Sequence, residues 1–532
     1  MLRSGPGRAR AAGLAAAVAC AVAVTAPARA AAAPASEAGA DPIAERYREV
    51  TAELHRDRGA PGAFARVAEL ASLEDELPDL APLAADYARV AEDGAAHPAA
   101  RALARFRLAA VARARGDVAT AGDHLRRLRF LDGWWIAGPF DDPGKRGFDT
   151  LFGPETGGAP RTVQPGKDRD VGWRPLAPEA TSAGFTHLGA VVRPARDVAV
   201  FAATRVASPR ARRAWLLVGA SGALQVFVNG EPVYGDRAYH VARLDQAAVP
   251  VRLRAGNNRV LLKISHAEGR LGFYARLADD APRGGRRPAA PDVIAQLERL
   301  ARAARGGRAR TAQYDLAVAV AERRPGDDSE QRPLREARRA VELAPTSIPA
   351  ALLAARLEPD PNRRRAVLER ALAAHPDAPR LLVALGTMES DARHLVAARR
   401  LLERARAVAP RYVAARLALA TVWDRAGFAG RARLEREAIA RDHPTSGAAR
   451  VAAAGAARAQ DRLDDAVRHH RAALALRQDD AASRASLVEL LADRGDVEGA
   501  AALLREGLRL APADVDARAR LAELSSANGR HD

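Results

Sequence analysis

The stretch GDVEGAAALLREGLRLAP, residues 495–512, combines a glycine turn, a small residue at Ala500 and a closing proline at Pro512. The small residue and the closing residue recur upstream every 34 residues. Closing residues stand at Pro376, Pro410, Pro444, Gln478 and Pro512, and small residues stand at Ala398, Ala432, Ala466 and Ala500. A period of this length, with a small residue where two helices cross, predicts helical hairpins that stack on one another.

This pattern resembles the tetratricopeptide repeat. The resemblance implies an α-solenoid over residues 293–532, with a concave groove lined by the first helix of each repeat. One hairpin is predicted to be shortened near Pro359, and residues 293–322 predict degenerate repeats. The last unit, residues 515–532, has room for a single capping helix.

The resemblance places a protein or peptide partner in this groove. Acidic residues become frequent toward its C-terminal end, although the formal net charge of the chain is +18. This predicts a basic or amine-bearing ligand, unless the acids only keep an alanine-rich solenoid soluble. The inward positions of the first helices hold Arg380, Thr387, Asp391, Thr421, Asp424, Arg425, Arg458, Glu489, Asp493, Asp516 and Glu523.

Residues 131–280 differ in composition from the repeat region. Four of the five tryptophans and eight of the eleven phenylalanines lie between Phe130 and Phe273, which favours a separate core. Short alternating runs predict about seven antiparallel strands, and Asn229-Gly230 is a hairpin-turn signal. The sequence therefore predicts a jelly-roll-like β-sandwich between two helical regions, and the whole chain is a multidomain α and β protein.

The segments LLVGASGALQVFVNGE (216–231) and GNNRVLLKI (256–264) resemble the galactose-binding-like jelly roll of sugar-binding modules. The phrase WWIAGPFD (134–141), followed by GFD (147–149), resembles the region ahead of the transglutaminase-like domain in large exported bacterial repeat proteins. No transglutaminase core follows in this chain, which puts an inherited enzymatic role in doubt.

Aromatic side chains of the β region are candidates for stacking on sugar rings. The alternative is that they form the core of the sandwich, because aromatic residues dominate core energetics. The candidates are Trp134, Trp173, Tyr234 and Tyr239. Nearby, Asp141, Asp142 and Asp149 have a spacing that a calcium ion could use, although such a loop is more often solvated.

The N-terminus predicts export. Arginines precede an apolar run from Ala11 to Ala26, and Ala28-Arg29-Ala30 suits signal peptidase, so residues 1–30 are expected to be removed. The remaining domains are predicted as a helical repeat-like region (31–130) with a hairpin that packs on the sandwich, the sandwich itself (131–280), a linker (281–292) and the solenoid (293–532). Lipidation at Cys20 is disfavoured because the apolar run continues past it. After cleavage no transmembrane helix is expected, and the protein would be periplasmic or extracellular.

Several reaction classes are excluded by the residue inventory. The single cysteine lies inside the predicted signal, so the mature chain would have no thiolate nucleophile, disulfide or thiolate metal site. No phosphate-binding loop, serine elbow or zinc-helix motif occurs, and no cofactor, metal or catalytic residue is predicted. Nucleic acid is not expected either, because arginine is abundant along the whole chain without clustering.

Two functions of different class follow. In the first, the protein is an exported, non-catalytic scaffold whose groove binds a protein or peptide while the sandwich binds glycan or docks the partner. In the second, it is a carbohydrate-active enzyme of the cell envelope or an accessory subunit of a transglutaminase-like or peptidase system. The first is favoured because the diagnostic features are binding architecture, although fold alone does not fix function.

Overall fold

A computed structural model describes residues 41–155, 163–279, 291–323 and 331–527, all within one compact unit. The predicted signal segment with Cys20, and all but the last two residues of the predicted linker, lie outside the described residues. The N-terminal helices are α1 (Pro42–Arg56), α2 (Gly62–Leu73), α3 (Ala81–Glu92), α4 (Pro98–Ala114) and α5 (Val118–Leu128). They precede a β domain, which is followed by a long array of helices.

The array after the β domain consists of antiparallel helix pairs. Its helices are α6 (Val293–Ala303), α7 (Gly306–Arg323), α8 (Arg332–Leu343), α9 (Ile348–Leu357), α10 (Pro361–Ala374), α11 (Pro379–Asp391), α12 (Leu395–Val408), α13 (Val413–Arg425), α14 (Ala429–Asp442), α15 (Gly447–Arg458), α16 (Leu463–Leu476), α17 (Ala481–Asp493), α18 (Val497–Leu510) and α19 (Val515–Ala527). Helices α11, α13, α15, α17 and α19 begin 34 residues apart. The array is a tetratricopeptide-like solenoid.

Local chemistry explains where these hairpins turn. Asp496 caps α18 by accepting a hydrogen bond from the Gly499 amide at 2.9 Å, which satisfies one of the free amides of the first turn. All four small residues of the 34-residue register are fully buried at 0% exposure, as the crossing of two helices requires. The shortened hairpin near Pro359 is confirmed, because α9 has only ten residues and Pro361 starts the next helix.

The β domain contains two antiparallel sheets. Its strands are β1 (Trp135–Asp141), β2 (Gln164–Pro165), β3 (Asp170–Val171), β4 (Arg174–Pro175), β5 (Thr181–Ser182), β6 (Phe185–Thr186), β7 (Val198–Ser208), β8 (Arg212–Ala220), β9 (Gly222–Val228), β10 (Glu231–His240), β11 (Ala247–Leu253), β12 (Gly256–His266) and β13 (Phe273–Asp279). The larger sheets have the orders β10-β9-β12-β7-β1-β4 and β11-β8-β13-β6-β5, while β2 and β3 form a small ribbon.

The two large sheets share one apolar core. Val226 and Leu262 of the first sheet belong to the same buried cluster as Leu216 and Phe273 of the second. The predicted turn is confirmed, because Asn229 and Gly230 both have positive φ, 54° and 89°, as a type I′ hairpin turn requires. The seven predicted strands correspond to β7–β13, whereas the short strands β2–β6 had no clear signal in the sequence.

Helix α2 lies inside the solenoid. Phe64 and Leu70 share a buried cluster with residues of α7 and α9, while Leu73 belongs to a second cluster with Leu382 of α11 and Ala415 of α13. These four helices are the first members of successive hairpins, so together they form the concave face. The sequence predicts that a hairpin of this region packs on the sandwich, and Phe106 of α4 does meet the Tyr274 ring of β13 at 6.0 Å between centroids. The sequence did not predict that α2 packs on the N-terminal half of the groove.

The N-terminal helices also reach the far end of the solenoid. The backbone amide of Gln478 donates to the Ala114 carbonyl at 2.7 Å. Gln478 stands where the other repeats have proline, and proline has no amide hydrogen to donate. The departure from the repeat pattern is thus explained by a contact with the end of α4.

Candidate functional site

The predicted groove residues fall into two groups, and the first lies where α2 fills the concave face. Arg380 faces Glu76, which follows α2, and Glu76 also accepts a hydrogen bond from the Tyr412 hydroxyl at 3.2 Å. Burial raises the pKa of Glu76, and the positive charge of Arg380 offsets part of that increase. Arg380 therefore faces an acidic side chain of the same chain, and both residues line a cavity of about 620 Å³ on this part of the concave face.

The next positions are engaged between neighbouring hairpins. The Arg425 guanidinium donates to the Asp391 carboxylate at 2.8 Å and to the Ser390 hydroxyl at 2.7 Å. Asp424 pairs with Arg436 of the same hairpin. Among the predicted residues of this stretch, Thr387, Asp391, Asp424 and Arg425 are exposed and Thr421 is half-buried.

The concave face opens again toward its C-terminal end. A cleft of about 870 Å³ lies between α17–α19, helix α4 and the edge of the β domain. Glu489 and Asp516 line it, whereas Arg458, Asp493 and Glu523 lie outside its lining. The structure thus places two of the five C-terminal groove residues in one cavity.

The walls of this cleft come from three parts of the chain. Val488 and Leu504 belong to the solenoid, and Phe106 belongs to α4. The β domain adds Phe185 and Tyr274, whose ring centroids are 5.0 Å apart, and Phe106 meets Tyr274 edge-on at 6.0 Å. A concave, largely apolar and aromatic lining with a charged rim is typical of binding sites.

The charge of the cleft is mixed. The predicted acidic character is corrected here, because arginines from α4, the β domain and the solenoid offset the acids. The lining contains the acidic residues Asp479, Glu489, Asp514 and Asp516 and the arginines Arg107, Arg113, Arg270, Arg484 and Arg520. The electrostatic potential of the cleft therefore does not favour a basic ligand alone.

Sequence reasoning missed the contribution of the β domain to this cleft. His187 follows strand β6, and the Arg270 guanidinium lies 4.2 Å from the centroid of the Phe185 ring. Burial, together with the positive charge of Arg270, lowers the pKa of His187 to about 4, so this imidazole is neutral at pH 7. Strand β6 has only two residues, so no alternating pattern marks it in the sequence.

The predicted sugar-stacking residues do not form one surface. Trp134 is 3% exposed and packs edge-on against Phe273 at 4.8 Å, so its prediction as a stacking residue is wrong and the core alternative holds for it. Tyr234 and Tyr239 are half-buried, and the Lys145 ammonium lies 4.4 Å from the Tyr239 ring centroid. Trp173 is half-buried on the outer face of the six-stranded sheet.

The three aspartates considered for calcium are used separately. Asp141 pairs with Lys167 at 3.1 Å, and Asp149 pairs with Arg237. Asp142 is buried and accepts from the Gly147 amide. Across the residues that the structure describes, no group of three or more histidine, cysteine, aspartate or glutamate side chains could hold a metal ion.

A buried ion pair holds down the loop that covers the six-stranded sheet. The Lys263 ammonium contacts the Glu155 carboxylate at 2.8 Å and donates to the carbonyls of Thr150 and Phe148 at 2.7 and 3.2 Å. All three ammonium hydrogens can therefore be used, as burial of a lysine requires.

In the described ranges, no helix combines the length and hydropathy that a membrane crossing needs.

Comparison with solved structures gives partial likenesses to helical-repeat proteins. Yeast Tom70 is similar at a TM-score of 0.38 and 14% identity, over 45% of this chain and 51% of Tom70, so this chain spans about half of that protein. A tetratricopeptide repeat protein of Parabacteroides merdae ATCC 43184 has a TM-score of 0.35 and 13% identity, over 44% of this chain and 91% of its own. PilF of Pseudomonas aeruginosa has a TM-score of 0.32 and 19% identity, over 40% of this chain and 97% of its own.

No protein-family model matches the chain, and no curated protein matches it significantly. The class of the protein is defined by its own geometry, which is a tetratricopeptide-like solenoid with a two-sheet β domain between its N-terminal helices and its repeats.

Proposed function

We propose that this protein is an exported, non-catalytic scaffold that binds a segment of a partner protein in the C-terminal cleft. The observation that carries the proposal is the cleft itself. Solenoid, α4 and β domain converge on it, and its aromatic walls are flanked by charges of both signs. An extended peptide with an apolar side chain between polar residues suits such a lining.

The filled half of the concave face supports this location. Helix α2 packs on the first helices near Arg380 and covers part of their surface, whereas Ala485 of α17 is exposed on the cleft wall. The partner is therefore expected at the C-terminal end rather than along the whole groove.

The matched variants Ala485→Trp and Ala482→Trp test this proposal. Both alanines are exposed on α17, but only Ala485 lines the cleft. Tagged mature protein would be used to retain proteins from an envelope extract. We expect Ala485→Trp to lose the retained partner and Ala482→Trp to keep it, with the melting temperature unchanged in both. Equal retention by both variants would place the partner elsewhere.

Export is a separate part of the proposal. N-terminal sequencing of protein secreted from a bacterial host is expected to find Ala31 or a neighbouring residue first, because Ala28-Arg29-Ala30 has the small residues that signal peptidase selects. An intact Met1, or a lipid on Cys20, would refute the export prediction but would leave the proposed binding cleft unaffected. The enzymatic alternative predicts turnover of cell-wall fragments by the purified protein, which the scaffold does not.

A further inference from the structure

The outer face of the six-stranded sheet carries two arginines that oppose each other. Arg205 of β7 and Arg259 of β12 are direct partners in the antiparallel ladder, so their side chains lie on the same face. Like charges at such positions repel each other, and within the described part of the chain neither guanidinium has an acidic side chain at ion-pair distance. Burial and the charge of Arg205 together lower the pKa of Arg259. An anion bound between the two guanidinium groups would remove this repulsion.

Two indole rings share this face. The Arg259 guanidinium lies 5.9 Å from the centroid of the Trp173 ring. Trp135 pairs with Ala203 in the ladder, two residues before Arg205, and it is 47% exposed. The exposed indole of Trp135 lies diagonal to Arg205 on the neighbouring strand, so it offers a flat apolar surface next to positive charge.

Next to the arginine pair, this part of the β7–β12 ladder carries no other exposed positive charge. The neighbouring positions of the ladder on the same face are Ala203 with Leu261 and Ala207 with Asn257, which carry no charge. A nucleic acid backbone would require a row of cations spaced along the sheet. A sugar ring that carries a carboxylate requires only an aromatic surface for its C–H face and one or two guanidinium groups for the acid.

We propose that this face binds an acidic saccharide, with the ring stacked on Trp135 and its carboxylate held between Arg205 and Arg259. This site is independent of the C-terminal cleft, whose β-domain residues come from β5, β6 and β13 of the other sheet and from loops beside them. Of the residues predicted for glycan stacking, Trp173 lies beside this site, whereas Trp134 is buried in the core.

Calorimetric titration of the mature full-length protein tests the site, with polygalacturonate as the acidic probe and a neutral galactan as its control. We expect polygalacturonate alone to bind. Arg205→Gln with Arg259→Gln should weaken its binding at least tenfold, and Trp135→Ala at least threefold. The control is Arg213→Gln with Arg252→Gln, which removes a second opposed pair of exposed arginines on β8 and β11. This control should bind like wild type.

Three outcomes would overturn the proposal. They are absence of polygalacturonate binding, equal loss in both arginine double variants, and tighter binding of single-stranded DNA than of polygalacturonate at the same salt concentration. The Arg205 and Arg259 variant should melt no lower than wild type, since it removes a repulsion, so misfolding can be told apart from loss of the site. Ala485→Trp should retain saccharide binding, which separates this inference from the proposed partner cleft.

Discussion

The two halves of the concave face differ although the same repeat builds both. In the N-terminal half, α2 packs on the first helices and buries Phe64, Leu70 and Leu73. In the C-terminal half the corresponding surface is exposed, and Val451 of α15 is 40% exposed. The comparison shows that a repeat register fixes where a groove is, but not whether that groove is free to bind a partner.

The largest effect is expected from Phe64→Ala. Phe64 is buried in the cluster that joins α2 to the solenoid, and the Arg323 guanidinium lies 4.5 Å from its ring centroid. Truncation should lower the free energy of unfolding by about 3 to 5 kcal/mol. Val451→Ala in the open half should change it by less than about 0.5 kcal/mol. Denaturant unfolding followed by circular dichroism measures both, and similar values would mean that α2 is not a core element.

The second prediction is acid sensitivity of the filled half. His97 is buried, and its Nδ1 accepts from the Ala99 amide to cap α4. Burial lowers the pKa of His97 to about 4, below its usual 6.5, so the unfolded chain takes up the proton first. The contribution to stability is complete above pH 6.5 and is lost as the pH falls toward 4, up to about 3 kcal/mol.

The control for this effect is His97→Asn, which keeps a capping acceptor but does not titrate. Melting curves between pH 7 and 4 should lose less stability in this variant than in wild type. If the two curves run parallel, protonation of His97 does not contribute to the acid sensitivity.

The third prediction concerns the helix crossings, where the same small residue is fully buried in successive hairpins of the solenoid. Ala432 and Ala466 are fully buried where the two helices of a hairpin meet. Replacing either with phenylalanine should overpack the hairpin and cost about 1 to 3 kcal/mol. A thermal melt of each variant checks this, and an unmoved helical transition in both would contradict the 34-residue register.

The fourth prediction restores the repeat consensus. Gln478→Pro removes the amide that donates to the Ala114 carbonyl, so the variant should lose about 1 kcal/mol even though it matches the other repeats. Pro444→Gln, the reverse change one repeat earlier, should cost less than about 0.5 kcal/mol. A stabilised Gln478→Pro variant in chemical denaturation would argue against the contact between α4 and the solenoid.

The smallest effect is expected on binding in the open half. Glu489 lines the cleft and Asp493 does not, although both are acidic residues of α17. Glu489→Ala should change affinity for the retained partner by about 1 kcal/mol or less, because Arg458 lies 3.4 Å from its carboxylate and the charge is partly screened. Asp493→Ala should have no effect. Titrations at low and high salt would compare the two, and an equal response would remove Glu489 from the site.

Part of the architecture could be predicted because its signals are local. The interval of 34 residues fixed the hairpins from α11 onward, since each crossing needs a small residue at one position. Asn229-Gly230 fixed a turn, because few residues accept positive φ at both central positions. Strand β6 and the adjacent His187 could not be found in this way, because two residues are too few for an alternating pattern to appear.

The sequence by itself determined the repeat, the β domain and the position of the concave face, because these depend on patterns within one segment. Only the tertiary structure decided that α2 fills half of that face and that Phe185 and Tyr274 complete the cleft, because these contacts join residues far apart in the chain. The tertiary structure also determined which of Trp134 and Trp135 is buried and which is exposed. Successive residues of a strand point to opposite faces, so one tryptophan enters the core and the other faces outward, and the register that selects between them is set by pairing with β7.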